Sequence, residues 1–99
     1  MKKGRDMVEA TVADRVDLGY GPTPGNLYEF VMGAQHHLRV MRADCDPDYR
    51  MGQAFFNYGD CHFPEGMMDI VATPADPFHN DGAVNAMLQA LVAGGWIKE

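Results

Sequence analysis

Serine is missing from the 99 residues, and the three threonines fall in stretches that read as arm or loop. With no serine and no P-loop, G-x-G-x-x-G or H-E-x-x-H pattern, the serine-nucleophile, nucleotide and zinc-protease templates have nothing to stand on. Cysteine is scarce as well. Cys45 and Cys61 are too few and too isolated for a disulfide framework, and reduced thiols are expected. No apolar run approaches the roughly 20 residues that cross a bilayer. The opening MKKGRDMVEA has no apolar stretch of the signal-peptide kind, so a soluble cytoplasmic protein is expected, with no membrane partner.

Positive charge is the other shortage, and it is local. Residues 1–43 carry six bases and five acids, whereas residues 44–81 carry eight acids (Asp44, Asp46, Asp48, Asp60, Glu65, Asp69, Asp76, Asp81) against Arg50 alone. The net charge of −6 therefore sits in the middle of the chain. Such a surface repels phosphate, which argues against direct nucleic-acid binding and for a basic protein partner steered over about 10 Å in moderate salt.

The apolar fraction of 46% with 22% charged is that of a globular chain, and the length allows one domain. Residues 1–25 read as an N-terminal arm and linker: Val8, Val12 and Val16 fit a helix, while Val8, Ala10 and Val12 fit a strand. GYGPTPG then packs three Gly and two Pro into residues 19–25, which forbids a regular element. If the arm is ordered, Tyr20 should fasten it to the body. A helical domain is expected over residues 26–99.

The first helix is expected from Leu27 to Met41. Asn26 is a good N-cap, Glu29 can bond back to it, and Leu27, Phe30, Val31, Ala34, Leu38 and Met41 form an apolar stripe with His36 and His37 beside it. Asp46 and Pro47 suit the start of a central helix, on which Tyr49, Gly52, Phe55, Phe56 and Gly59 share the packed face and Arg50, Gln53 and Asn57 a polar stripe meeting water. Pro64 and Glu65 should open a two-turn helix with Met67, Ile70 and Val71 inward. TPADPFHNDG is a loop in which Phe78 is either a core plug or an exposed anchor. Ala83 to Ala93 should form the last helix, with Val84, Met87, Leu88 and Leu91 inward, Asn85 and Gln89 outward, and Gly94, Gly95 and Trp96 closing it as a Schellman cap.

An all-α bundle of about four helices follows, with Phe30, Leu38, Phe55, Phe56, Ile70, Leu88 and Leu91 at its core and eight Met for adaptable packing. Metal readings find little support. Adjacent His36 and His37 diverge by about 100° on a helix, Cys45, Cys61, His62 and His79 lack zinc-site spacing, and Asp44, Asp46 and Asp48 match a calcium loop except that Tyr49 replaces its Gly and Phe55 its Glu. A Cys61–His62 dyad has no third orienting group. Neither catalysis nor a cofactor is expected.

Two runs carry a resemblance. YRMGQAFFN followed by ATPADPFHND resembles a set of small, often phage-encoded proteins bearing R-x-GQ-x-x-FN and then T-x-x-DPF-x-x-D. The match spans about half the chain, and what it implies is a compact helical module in a phage setting, with no activity to transfer. From the residues and this likeness together, the expected function is a small acidic protein-binding or regulatory module that engages a host protein. Asp60, Glu65, Asp69, Asp76 and Phe78 are the candidate partner-binding residues, and a structural homodimer is the alternative. Arg50 is expected to pair with Asp46 or Asp48, or to hold the TPADPF loop.

Overall fold

The computed structural model describes residues 18–99, and the readings made for residues 1–17 lie outside the described residues. Regular structure there is helical: α1 (Leu27–Asp44), α2 (Met51–His62), α3 (Pro64–Met68), a 3-10 turn (Asp81–Ala83) and α4 (Val84–Ala93). Among the described residues no strand forms, and the isolated bridge between Asn26 and Lys98 brings the end of the chain back to the start of α1.

α1 begins where the sequence places it. The Asn26 side chain accepts from the Glu29 amide at 2.8 Å, while Glu29 Oε1 accepts from Gly25, one residue further out than the usual reciprocal cap. The Leu27 amide donates to the Lys98 carbonyl at 2.6 Å, so the C-terminal segment satisfies another open donor of that turn. The helix runs three residues past Met41, and the Met41 carbonyl accepts from both Cys45 and Asp46.

α2 begins later than expected. Asp46 caps a turn of its own instead of the helix: its carboxylate accepts from the Asp48 amide at 2.9 Å and its carbonyl from Tyr49 at 3.0 Å. An aspartate's short side chain serves either motif, and here the tight turn wins. Arg50 takes the N-cap position, and Gln53 Oε1 accepts from its amide at 3.0 Å. The buried face of α2 is Gly52, Ala54, Phe55, Tyr58 and Gly59, rotated from the expected one, and Phe56 is half-buried. The stripe of Arg50, Gln53 and Asn57 is half-buried rather than fully wetted, because a turn and a loop fold over it.

α3 is shorter than two turns, so Val71 falls in the following turn and is 49% exposed, while Met67 and Ile70 are buried as expected. Ala72 adopts φ +62°, held by Asp76 Oδ2 accepting from its amide at 2.7 Å. α4 buries Val84, Met87, Leu88 and Leu91. It ends in the expected Schellman cap: Gly95 at φ +82°, its amide on the Val92 carbonyl, and the Trp96 amide on the Leu91 carbonyl at 3.0 Å.

The core joins Phe30, Ala34, Phe55, Tyr58, Met67, Ile70, Met87, Leu88, Leu91 and Ile97. Each large apolar side chain buried there contributes roughly 1.5–3 kcal/mol. Phe30 meets Tyr58 edge-on at 4.9 Å, and Gly33 on α1 leaves room for the Tyr58 hydroxyl that any Cβ would occupy. Leu38, expected in this core, is half-buried outside it. His37, expected beside the stripe, is fully buried.

Candidate functional site

The two runs that carry the resemblance meet in space. Arg50 sends one guanidinium nitrogen to the Phe78 carbonyl and the other to Asp81 Oδ1 at 3.1 Å. The same carboxylate oxygen accepts from the Gly52 amide at 2.8 Å. Gly52 is where the loop backbone comes closest, since a Cβ there would strike the Pro77 carbonyl oxygen and stand 2.7 Å from Asp81 Oδ1. Phe56 and Phe78 pack edge-on at 5.4 Å, and Pro77 is fully buried. Asp76 folds the loop on itself, accepting from Ala72 and, through Oδ1, from Phe78 at 2.9 Å. Of the two roles expected for Arg50, holding the TPADPF loop is the one seen. This lock spends its polar atoms on one another, which is a structural use of them.

The expected partner-binding residues therefore divide. Asp76 and Phe78 belong to the lock at the N-terminal end of α2, half-buried and engaged. Asp60, Glu65 and Asp69 lie at the other end, some 15 Å along the helix axis from Arg50 to Asp60. Asp60 is exposed in the last turn of α2, Glu65 in the first turn of α3, and Asp69 at its C-cap. Among the described residues none of these three has a side-chain hydrogen bond or an ion pair.

Composition gave no sign of what they surround. Met68 is 72% exposed directly beside Asp69, and Val71 follows in the exposed turn. The Trp96 ring covers Gly66 so closely that a Cβ there would lie 2.9 Å from it, and the ring keeps 38% of its surface open. Glycine at position 66 lets the indole lie flat on α3. Met68 and Val71 thus stand exposed beside the carboxylates of Glu65 and Asp69, a pairing of apolar and charged side chains that suits protein docking. The sequence signal for it was available: had α3 been stopped at Met68, Val71 would have left the core face.

A second feature lies over α1 and reaches the C-terminal end of α2. Residues 18–25 form a strap over α1, with Gly19 and Pro24 buried and Tyr20 stacked on His37 at 4.2 Å, so Tyr20 fastens the strap as expected. His62 takes the strap's other end, its Nε2 3.1 Å from the Tyr20 carbonyl and its Nδ1 3.4 Å from Thr23 Oγ1. Burial lowers the pKa of His37 below its ordinary 6.5, against the opposing pull of the Leu18 carbonyl. Burial likewise raises Tyr49, and pushes Tyr58 up to about 12, with the Cys61 and Glu29 charges adding to it.

Cys45 is exposed and Cys61 half-buried, and both are thiols. Among the described residues no three His, Cys, Asp or Glu side chains converge on a common metal position, and no helix is long and apolar enough to cross a membrane. No protein-family model, curated protein or solved structure matches this chain.

Proposed function

We propose that this chain is a small acidic protein-binding module, not an enzyme, and that it docks through the α3 face. The observation that carries the reading is Met68, a large flexible side chain left 72% exposed in a chain that has a core to bury it in, with Glu65 on the same short helix and Asp69 at its C-cap, neither having a side-chain partner among the described residues. Met adapts to a partner's contours, and the acids steer a basic surface toward it. The partner of this reading is a protein with an apolar pocket rimmed by Lys or Arg. The phage-like pattern in the sequence supports a host protein in that role.

Capture from host lysate, identification of the bound protein and association kinetics in graded salt test the assignment. Asp60→Lys with Glu65→Lys should slow association and flatten its salt dependence, and Met68→Asp should speed dissociation. A folded triple variant that binds the same protein with wild-type rates removes the α3 face from the reading. The homodimer alternative is read independently, by the mass in size-exclusion chromatography.

A further inference from the structure

His37 stands where three segments meet. Its ring, fully buried on α1, puts Nδ1 2.6 Å from the Leu18 carbonyl of the strap and Nε2 2.9 Å from the Tyr49 hydroxyl of the turn before α2. A carbonyl only accepts, so the ring proton is on Nδ1 and Nε2 offers its lone pair. The Tyr49 hydroxyl must then donate to it. Asn57 Nδ2 donates to the same hydroxyl oxygen at 2.7 Å, which completes a chain of donors running from Asn57 through Tyr49 and His37 to Leu18. A second ring proton, on Nε2, would force the hydroxyl to turn its hydrogen away from the ring and toward Asn57 Nδ2, itself a donor.

Among the described residues no counter-charge is bonded where that proton would sit. From α1 come His36 and, bonded to the Tyr49 carbonyl at 2.8 Å, the Arg42 guanidinium. From the strap come the Leu18 carbonyl and the Tyr20 ring, and from α2 the neutral Asn57. Asp46 and Cys45, in the turn, act on Tyr49. His62, at the end of α2, holds the strap at Tyr20 and Thr23. Among the described residues no carboxylate is bonded to the His37 ring.

We propose that His37 is an acid-release latch: a proton on its Nε2 uncouples the strap of residues 18–24 from α1 and Tyr49, while the Arg50 lock, which uses no histidine, stays shut. The strap is one wall of a groove of about 400 Å³ whose other wall is Tyr28, Met32 and His36 on α1. Release of the strap therefore opens that groove, with Tyr28 already 71% and Met32 46% exposed along it. Because the imidazole is favoured neutral in the fold, the latch is fully closed above the ordinary histidine value of 6.5 and weakens as pH falls below it.

Nuclear magnetic resonance of the whole chain, titrated from about pH 7.5 to about pH 5, tests this. At the upper end the His37 nitrogens should report the neutral form protonated on Nδ1. On acidification the ring-to-ring cross-peaks of Tyr20 with His37 should be lost while those of Phe56 with Phe78 persist. Asn57→Asp gives a second reading: the new carboxylate can accept from the Tyr49 hydroxyl and free its oxygen for a protonated Nε2. Tyr20 should then remain stacked at the acid end. Simultaneous loss of both sets of cross-peaks, or an intact Tyr20 contact in the wild type once His37 is charged, overturns the latch. So does an Asn57→Asp chain that folds yet releases the strap at the wild-type pH.

Discussion

Two irregular segments fold against α2 and its N-terminal turn, and they are held by opposite chemistry. Residues 73–81 are fixed by charge and backbone: a guanidinium, an aspartate oxygen shared between Arg50 and Gly52, and a glycine with no room for a Cβ. Residues 18–25 are fixed by rings and a neutral histidine: Tyr20 on His37, His37 on Leu18, His62 on Tyr20. The first attachment uses no histidine. The second depends on one that burial favours in its neutral form. A chain so small can thus give two neighbouring loops different sensitivities without changing its helices.

The comparison breaks most severely where both loops lose the floor beneath them. Phe55, 2% exposed at the centre of the core, should cost about 3–5 kcal/mol on truncation to Ala, seen as a lower urea midpoint. Next comes the loop attachment alone. Gly52→Ala, and more so Gly52→Leu, forces Pro77 and Asp81 away and should cost roughly 1–3 kcal/mol, while the ring contact of Tyr20 with His37 survives. A Gly52→Leu chain as stable as the wild type would mean that the loop does not lie on that glycine.

Smaller changes sharpen the contrast. Ala72→Gly relieves the left-handed backbone at φ +62° and should raise stability by about 1 kcal/mol, measured as a higher thermal midpoint. Asp81→Asn keeps an oxygen for Gly52 but removes the charge facing Arg50. Because both side chains of that ion pair are well exposed, at 38% and 46%, the cost should stay under about 1 kcal/mol. A much larger loss would show the pair to be shielded from water and the lock more electrostatic than steric.

Alkali probes the rings of the core rather than the loops. Tyr58, raised to about 12 from near 10, favours the fold while it is neutral. That contribution is complete below its ordinary value and disappears as pH rises toward the folded one. An absorbance titration should show phenols that ionise only together with the loss of helical circular dichroism, and Tyr58→Phe should remove one of them.

Much of the fold was legible because it depends on spacing along the chain. Asn26 and Glu29 mark the start of α1, Val84, Met87, Leu88 and Leu91 repeat at the helical period, and Gly94 and Gly95 precede an aromatic that folds back. Gly52 on an apolar face signalled a close backbone, and the loop backbone lies there. The start of α2 was not legible. Asp46 satisfies a turn or a helix equally well, and what decides between them is Tyr49, buried because His37 and Asn57 are already waiting for its hydroxyl.

The acids Asp60, Glu65 and Asp69 could be counted from the sequence. That Asp76 is spent on its own loop while those three stay open is a matter of which amides lie within reach once the chain has turned. Local periodicity and capping chemistry by themselves determined an all-α chain with its first and last helices in place, since those preferences act within one or two turns. Only the tertiary structure decided that Met68 stays open to solvent, that Trp96 lies on Gly66 and that His37 is sealed inside. Exposure and proton affinity are set by neighbours distant in sequence, and no window along the chain contains them.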